Sequence, residues 1–103
     1  MHGESMKHYQ TEDELEADCT DYVTDRGGLH RKLDVGPGAK GQLDHAYWLP
    51  GAFHFVVEFK LPGKPASPLQ RRRLERLQAM GHEAWLCDSY EAFTAYVSRR
   101  MSG

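Results

Sequence analysis

The sequence predicts an α/β (α+β) domain of element order α-β-β-β-α-β-α, with a mixed four-stranded sheet flanked by helices. Three observations predict it. Over residues 53 to 60, Phe53, Phe55, Val57 and Phe59 alternate with His54, Val56, Glu58 and Lys60, the period of a half-buried strand. Leu15, Cys19, Tyr22 and Val23 fall at i, i+4, i+7 and i+8, the period of an amphipathic helix. The strand at 53 to 60, a helix opened by Ser67-Pro68 and the apolar run Ala84-Trp85-Leu86-Cys87 follow one another as strand, helix, strand. That order implies a right-handed crossover and parallel pairing of its two strands.

Residues 1 to 10 carry no periodicity and read as a flexible lead-in to a single domain over 11 to 103. Thr11 and Glu14 form a capping box that starts the first helix, which ends at Gly27-Gly28. Residues 29 to 35 read as a short strand, and the Gly36-Pro37-Gly38 turn leads into a second at 43 to 49. Pro50-Gly51 closes a hairpin into the strand at 53 to 60, and Pro62, Gly63 and Pro65 mark a loop after it. Ser67, Pro68 and Gln70 then stand at N-cap, N1 and N3 of a helix running to Gly81. The run 84 to 87 has the unbroken apolar character of a strand covered on both faces. Asp88 with Glu91 is read as the cap of a last helix, whose apolar stripe is Phe93, Tyr96, Val97 and Met101.

Composition narrows the function. A chain of 103 residues buries one core and has no room for separate binding and catalytic lobes. Cys19 and Cys87 sit in core-like segments with no CxxC spacing, so both are expected to be reduced packing residues of an intracellular protein. No apolar run is long enough to span a membrane and no secretory pattern opens the chain, so a soluble, cytoplasmic protein is expected. Net charge is −2, unevenly spread: residues 1 to 34 hold nine acids against four Lys/Arg, and 35 to 103 hold six against nine. The basic second part leaves room for a nucleic-acid partner that the overall charge would not suggest.

Cutting a phosphodiester requires an anionic pocket for a divalent cation, a polarised water and a cation for the charge that develops on the phosphate. Glu58 and Lys60, two apart on one strand, share a face roughly 6.5–7 Å from each other. A hairpin turning near Pro50-Gly51 brings Asp44, at the start of the second strand, beside the end of the third. The same Glu-x-Lys pattern also describes an ordinary solvent-exposed ion pair, so the motif needs further residues to carry weight.

Those residues are present. Gly41-Gln42-Leu43-Asp44, Val56-Val57-Glu58-Phe59-Lys60, Gly63-Lys64, Ser67-Pro68-Leu69-Gln70 and Gly81 together resemble the virus-type replication-repair nuclease domain, VRR-NUC, a branch of the PD-(D/E)XK superfamily. The resemblance covers most of the chain, from the first helix near Glu16 to the last near Glu91. It implies a restriction-endonuclease-like fold, with Asp44 and Glu58 as ligands of Mg²⁺ or Mn²⁺ and Lys60 orienting the attacking water or neutralising the transition state. Glu16 would match the family's first-helix glutamate, which reaches toward the same metal, and Gln70 the glutamine that opens the helix after the Glu-x-Lys strand. Where the family usually reads Arg-Gly-x-Pro-Asp, this chain has Lys40-Gly41-Gln42-Leu43-Asp44. Lys40 keeps the charge without the planar fork of Arg, and Leu43 supplies an N–H that Pro lacks, so the turn and its phosphate contacts change while the ligands stay.

Each further residue has a plainer explanation beside the functional one. Glu16 has the position of a helix-surface acid near the dipole-positive end, and Gln70 is already accounted for by the capping box with Ser67. Gln70 nevertheless heads an inward stripe with Leu74, Leu77 and Gly81, which lets it serve both purposes. Arg71, Arg72, Arg73 and Arg76 gain nothing from the dipole at a helix start, which suggests an anionic partner over a merely solvated face. Arg72 and Arg76, with Lys32, Lys40 and Lys64, are the expected DNA contacts. The histidines at 2, 8, 30, 45, 54 and 82 show no zinc-binding spacing, so no zinc is expected, and His45 is assigned to packing or solvent. The resemblance further implies a phage or bacterial protein acting as a homodimer on four-way DNA junctions in the cytoplasm of a bacterial or phage-infected cell. A flap or nicking nuclease, or a DNA-binding module with a vestigial Glu-x-Lys, are the alternatives.

Overall fold

The computed structural model describes residues 6–33 and 44–102, with Asp44 placed by its backbone alone. Seven elements follow in the predicted order: α1 (Glu12–Thr24), β1 (Leu29–Leu33), β2 (Asp44–Leu49), β3 (Phe53–Phe59), α2 (Pro68–Ala79), β4 (Ala84–Cys87) and α3 (Tyr90–Ser102). The sheet order is β1-β2-β3-β4. β1, β2 and β3 form an antiparallel meander, and β4 returns through α2 to lie parallel to β3.

The alternation along β3 divides the interior in two. Phe55, Val57 and Phe59 face α1 and α3, where they pack with Leu15, Cys19, Val23, Tyr47, Phe93 and Val97. Val56, on the opposite face, joins Ala46, Ala84 and Leu74 of α2 in a smaller cluster. β4 has cover on both faces, Trp85 against the first cluster and Leu86 against the second, but its outer edge is open, and both side chains are only partly buried.

The helix starts follow their sequence signals. Thr11 with Glu14 and Ser67 with Gln70 each make the reciprocal bonds of a capping box. For α3 the cap lies one residue beyond the expected Asp88: Ser89 Oγ accepts from Ala92 N–H, and Ser89 O accepts from Phe93 N–H. Met101, expected on the apolar stripe of α3, is exposed, and the buried part of the stripe ends at Val97. α1 stops at Thr24, a turn short of the glycines; Gly27 takes φ +88° and Gly28 N–H returns to Val23 O. Lys7 and Tyr9, from the segment read as a lead-in, are tied to the helices: Tyr9 Oη donates to Asp18 at 2.6 Å, and Lys7 N–H donates to Glu91 at 3.0 Å. Cys19 and Cys87 are free and buried, and the neighbouring Cys87 together with burial pushes the Cys19 thiol up, which keeps it protonated.

Candidate active site

The site lies at the end of the sheet where β3 finishes and β2 begins. The β2–β3 register pairs His45 with Val57 and Leu49 with Phe53, so the turn at Pro50-Gly51 sets the two strands as the hairpin requires. Continuing that register by one residue sets the backbone of residue 44 across from that of residue 58. The Asp44 side chain lies outside the described residues, as do Lys40 and the Gly41-Gln42-Leu43 turn.

Glu58 is the centre of what is described. It is 4% exposed, an environment in which a carboxylate is costly unless partnered. Gln70, 2% exposed at the third position of α2, donates from Nε2 to Glu58 Oε2 at 3.1 Å. The same side chain accepts from Ser67 N–H through Oε1 at 2.8 Å, so capping and the contact with Glu58 both occur.

Glu58 opens into a cavity of about 160 Å³. Glu12, Asp13 and Glu16 of α1, Lys32 of β1, His45 of β2 and Phe59 complete its lining. The sheet end thus brings Glu16 and Lys32 to the cavity that Glu58 lines. Glu12 and Asp13 also line the cavity, though neither was expected there; Glu12 stands one helical turn before Glu16, a four-residue spacing legible in the sequence that sets both on the same wall. No three of these carboxylates, among the described residues, bring their oxygens within 4.8 Å of one another, but as lining of one small cavity they offer the oxygen ligands that a hard divalent cation of the Mg²⁺ or Mn²⁺ kind takes together with several waters.

Around this centre the other expected residues are dispersed. Lys60 follows β3 directly, half-buried, with its N–H donating to Cys87 O at 3.0 Å, so its backbone is fixed at the mouth of the sheet. Lys64 stands exposed in the loop that leads to α2. Arg72 and Arg76 are exposed on α2 and line a separate, wider depression with Leu69, Arg73, Leu77 and Met80.

On the α1 side of the sheet, Glu16 meets two histidines. Its Oε2 accepts from Thr20 Oγ1 at 3.1 Å and lies 3.7 Å from His30 Nε2. His30 Nε2 and His45 Nδ1 face each other at 3.0 Å. His45 is buried and packs edge-on against Phe59, as a packing role requires, but its contact with His30 and its place on the cavity wall were not foreseen. Burial holds the His30 imidazole below its ordinary pKa, the Glu16 carboxylate opposing that shift.

Comparison with known proteins agrees with this architecture. No protein-family model matches the chain. It is 36% identical over 80 residues to "Putative nuclease p44" of Acyrthosiphon pisum secondary endosymbiont phage 1, spanning 78% of this chain and 85% of that protein. A solved structure described as a VRR_NUC domain superposes with a TM-score of 0.71 at 23% identity, covering 84% of this chain and 94% of the other. With the three-helix, four-strand arrangement, the buried Glu58 followed by Lys60, and these similarities, the chain belongs to one family with "Putative nuclease p44" and has the restriction-endonuclease-like α+β fold of the VRR_NUC domain.

Proposed function

We propose that this protein is a Mg²⁺- or Mn²⁺-dependent endodeoxyribonuclease that cuts branched DNA, four-way junctions above all, as a homodimer in a bacterial or phage-infected cell. The observation that carries the reading is the Glu58 carboxylate, buried at 4% exposure, held by Gln70 and open to a cavity that Glu16 shares. Asp44 and Glu58 hold the cation, with Glu16 closing the site from α1. The bound cation supplies a Lewis acid to the scissile phosphate. Lys60, directly after β3, contributes the positive charge that stabilises the phosphate as negative charge builds on it. Gln70 keeps Glu58 in one orientation, so that no reorganisation is needed at the moment of reaction. Lys32, Lys40, Lys64, Arg72 and Arg76 contact the DNA backbone, in keeping with the net basic character of residues 35 to 103.

A two-fold dimer offers two such sites to two strands, the symmetry of a four-way junction. The domain is small, and a second copy doubles the surface available to a branched substrate.

The test is cleavage of labelled linear, nicked, flapped and four-way DNA by the wild type and by Asp44→Ala, Glu58→Ala and Lys60→Ala, with Mg²⁺, with Mn²⁺ and with chelator. The expected outcome is junction cleavage that chelator abolishes and that each substitution slows by about 10²–10³-fold or more. Cutting that survives Glu58→Ala would remove the proposed site, and preferential cutting of flapped or nicked DNA would move the substrate assignment. Binding without cutting in all four proteins would make the domain a DNA-binding module. Sedimentation with junction DNA checks the assembly: a monomer at micromolar concentration overturns the dimer.

A further inference from the structure

We infer that Glu16, His30 and His45 form a second metal site, selective for a transition-metal dication of the zinc type, on the α1 side of the sheet. It shares Glu16 with the site proposed for Mg²⁺ or Mn²⁺, since a carboxylate has two oxygens to offer, and it does not depend on the chain being a nuclease. Among the described residues these three make the one group of His, Cys, Asp or Glu whose ligand atoms all lie within 4.8 Å of one another.

The spacing suits a tetrahedral ion. With Zn–N bonds of about 2.0–2.1 Å, two nitrogens on a tetrahedral zinc stand roughly 3.3–3.4 Å apart. His30 Nε2 and His45 Nδ1 are 3.0 Å apart, so a few tenths of an ångström of opening would admit the ion. Glu16 Oε2, at 3.7 Å from His30 Nε2, needs a comparable closing movement.

The three side chains are held in place by contacts of their own. His30 stacks on His45 with ring centres 5.2 Å apart and lies 4.8 Å from the ring of Tyr47. His45 is 7% exposed and fixed against Phe59. Thr20 Oγ1 donates to Glu16 Oε2 and lies 2.9 Å from Tyr47 Oη, an outer hydrogen-bond chain of the kind that orients metal ligands. Three protein ligands leave a fourth position, and Glu16 and His45 both open on the cavity, which has room for a water or an anion there.

Two imidazoles and one carboxylate select differently from the oxygen donors around Glu58. Nitrogen donors favour zinc, nickel or copper over Mg²⁺. The absence of His-x₃-His spacing argues against zinc only for a site made on one helix; here the ligands come from α1, β1 and β2, joined by the β1–β2 register that pairs Lys32 with His45 and by the packing of α1.

The experiment is equilibrium dialysis of the full chain against Zn²⁺ in the presence of millimolar Mg²⁺, with bound metal counted per chain, and with Co²⁺ as a spectroscopic probe. Wild type, His30→Ala, His30→Gln and Glu58→Gln are compared, each checked by circular dichroism for folding. The expected result is one zinc per chain that Mg²⁺ does not displace, with visible Co²⁺ bands of a four-coordinate nitrogen-containing site. His30→Ala and His30→Gln should weaken zinc binding by more than about tenfold and remove those bands, while Glu58→Gln keeps both. The inference is overturned if the wild type binds no zinc, if Mg²⁺ displaces it, if the His30 variants bind it unchanged, or if Glu58→Gln loses it equally. None of these readings measures cleavage, so they separate from the test of nuclease activity.

Discussion

The two ends of the Gln70 side chain are used differently: Oε1 accepts from Ser67 N–H, and Nε2 donates to the buried Glu58 carboxylate. A glutamate at 70 can still close the capping box but cannot donate to Glu58. Gln70→Glu therefore sets a second carboxylate against one that is almost inaccessible to water. A hydrogen bond to a charged group is worth about 1.5–3 kcal/mol, and like-charge repulsion adds to its loss. We expect Gln70→Glu to be less stable than wild type at neutral pH by at least that amount. Protonation of either carboxyl would relieve the repulsion, so the deficit should shrink on acidification. Added Mn²⁺ should also narrow it. Thermal melts across pH, with and without metal, check this; unchanged stability would mean that Gln70 acts only as a cap, since a glutamate caps as well. Sequence inspection leaves these two roles of Gln70 undivided, because a capping glutamine and one that reaches across to a strand have the same spacing from Ser67.

At the scale of elements, the passage from α1 to β1 depends on the absence of a side chain at Gly28. A Cβ there would stand 2.4 Å from Val23 Cγ1 and 2.7 Å from the Trp48 carbonyl oxygen. The backbone of the connection is pressed between the end of α1 and β2. Gly28→Ala has to push these apart, and overpacking of this kind costs about 1–3 kcal/mol. We expect a lower denaturant midpoint with little change in the m-value; an unaltered midpoint would show that the junction gives way freely. Because α1 carries Glu12, Asp13 and Glu16 to the cavity, the same junction sets how close those acids come to Glu58. The two glycines were legible in the sequence as a helix stop. That one of them is needed for close approach was not, since its neighbours, Val23 and Trp48, are brought together only when α1 packs on the sheet.

Across the whole molecule, the loop before β4 is held to α3 by a small polar network. Glu83 accepts from Tyr96 Oη and from Arg100, whose guanidinium also lies over the rings of Phe53 and Tyr96. Tyr96 first, and Arg100 after it, hold the Glu83 carboxyl below its ordinary range. A carboxylate with a depressed folded pKa contributes stability that is present above its unfolded value, about 4.3, and is lost as pH falls through the folded one. Glu83→Gln should therefore be less stable than wild type at pH 7, and the difference should fade on acidification below about pH 4.3. High salt should reduce it at pH 7, since the pair is exposed. Melting temperatures of the two proteins over that range decide the matter; a difference that persists in acid would assign the effect to packing. The sequence by itself determined the order of the seven elements, the parallel return of β4, and the presence of Glu58 on the third strand with Lys60 directly after it, because periodicity, caps and turn residues act over a few positions. Only tertiary structure decided that Gln70 bonds to Glu58, that Glu12, Asp13 and Glu16 line its cavity, and that His30 and His45 meet beside Glu16. These contacts join residues from different elements, and their geometry is set by strand register and by how α1 and α2 seat on the sheet, neither of which has a local signature in the chain.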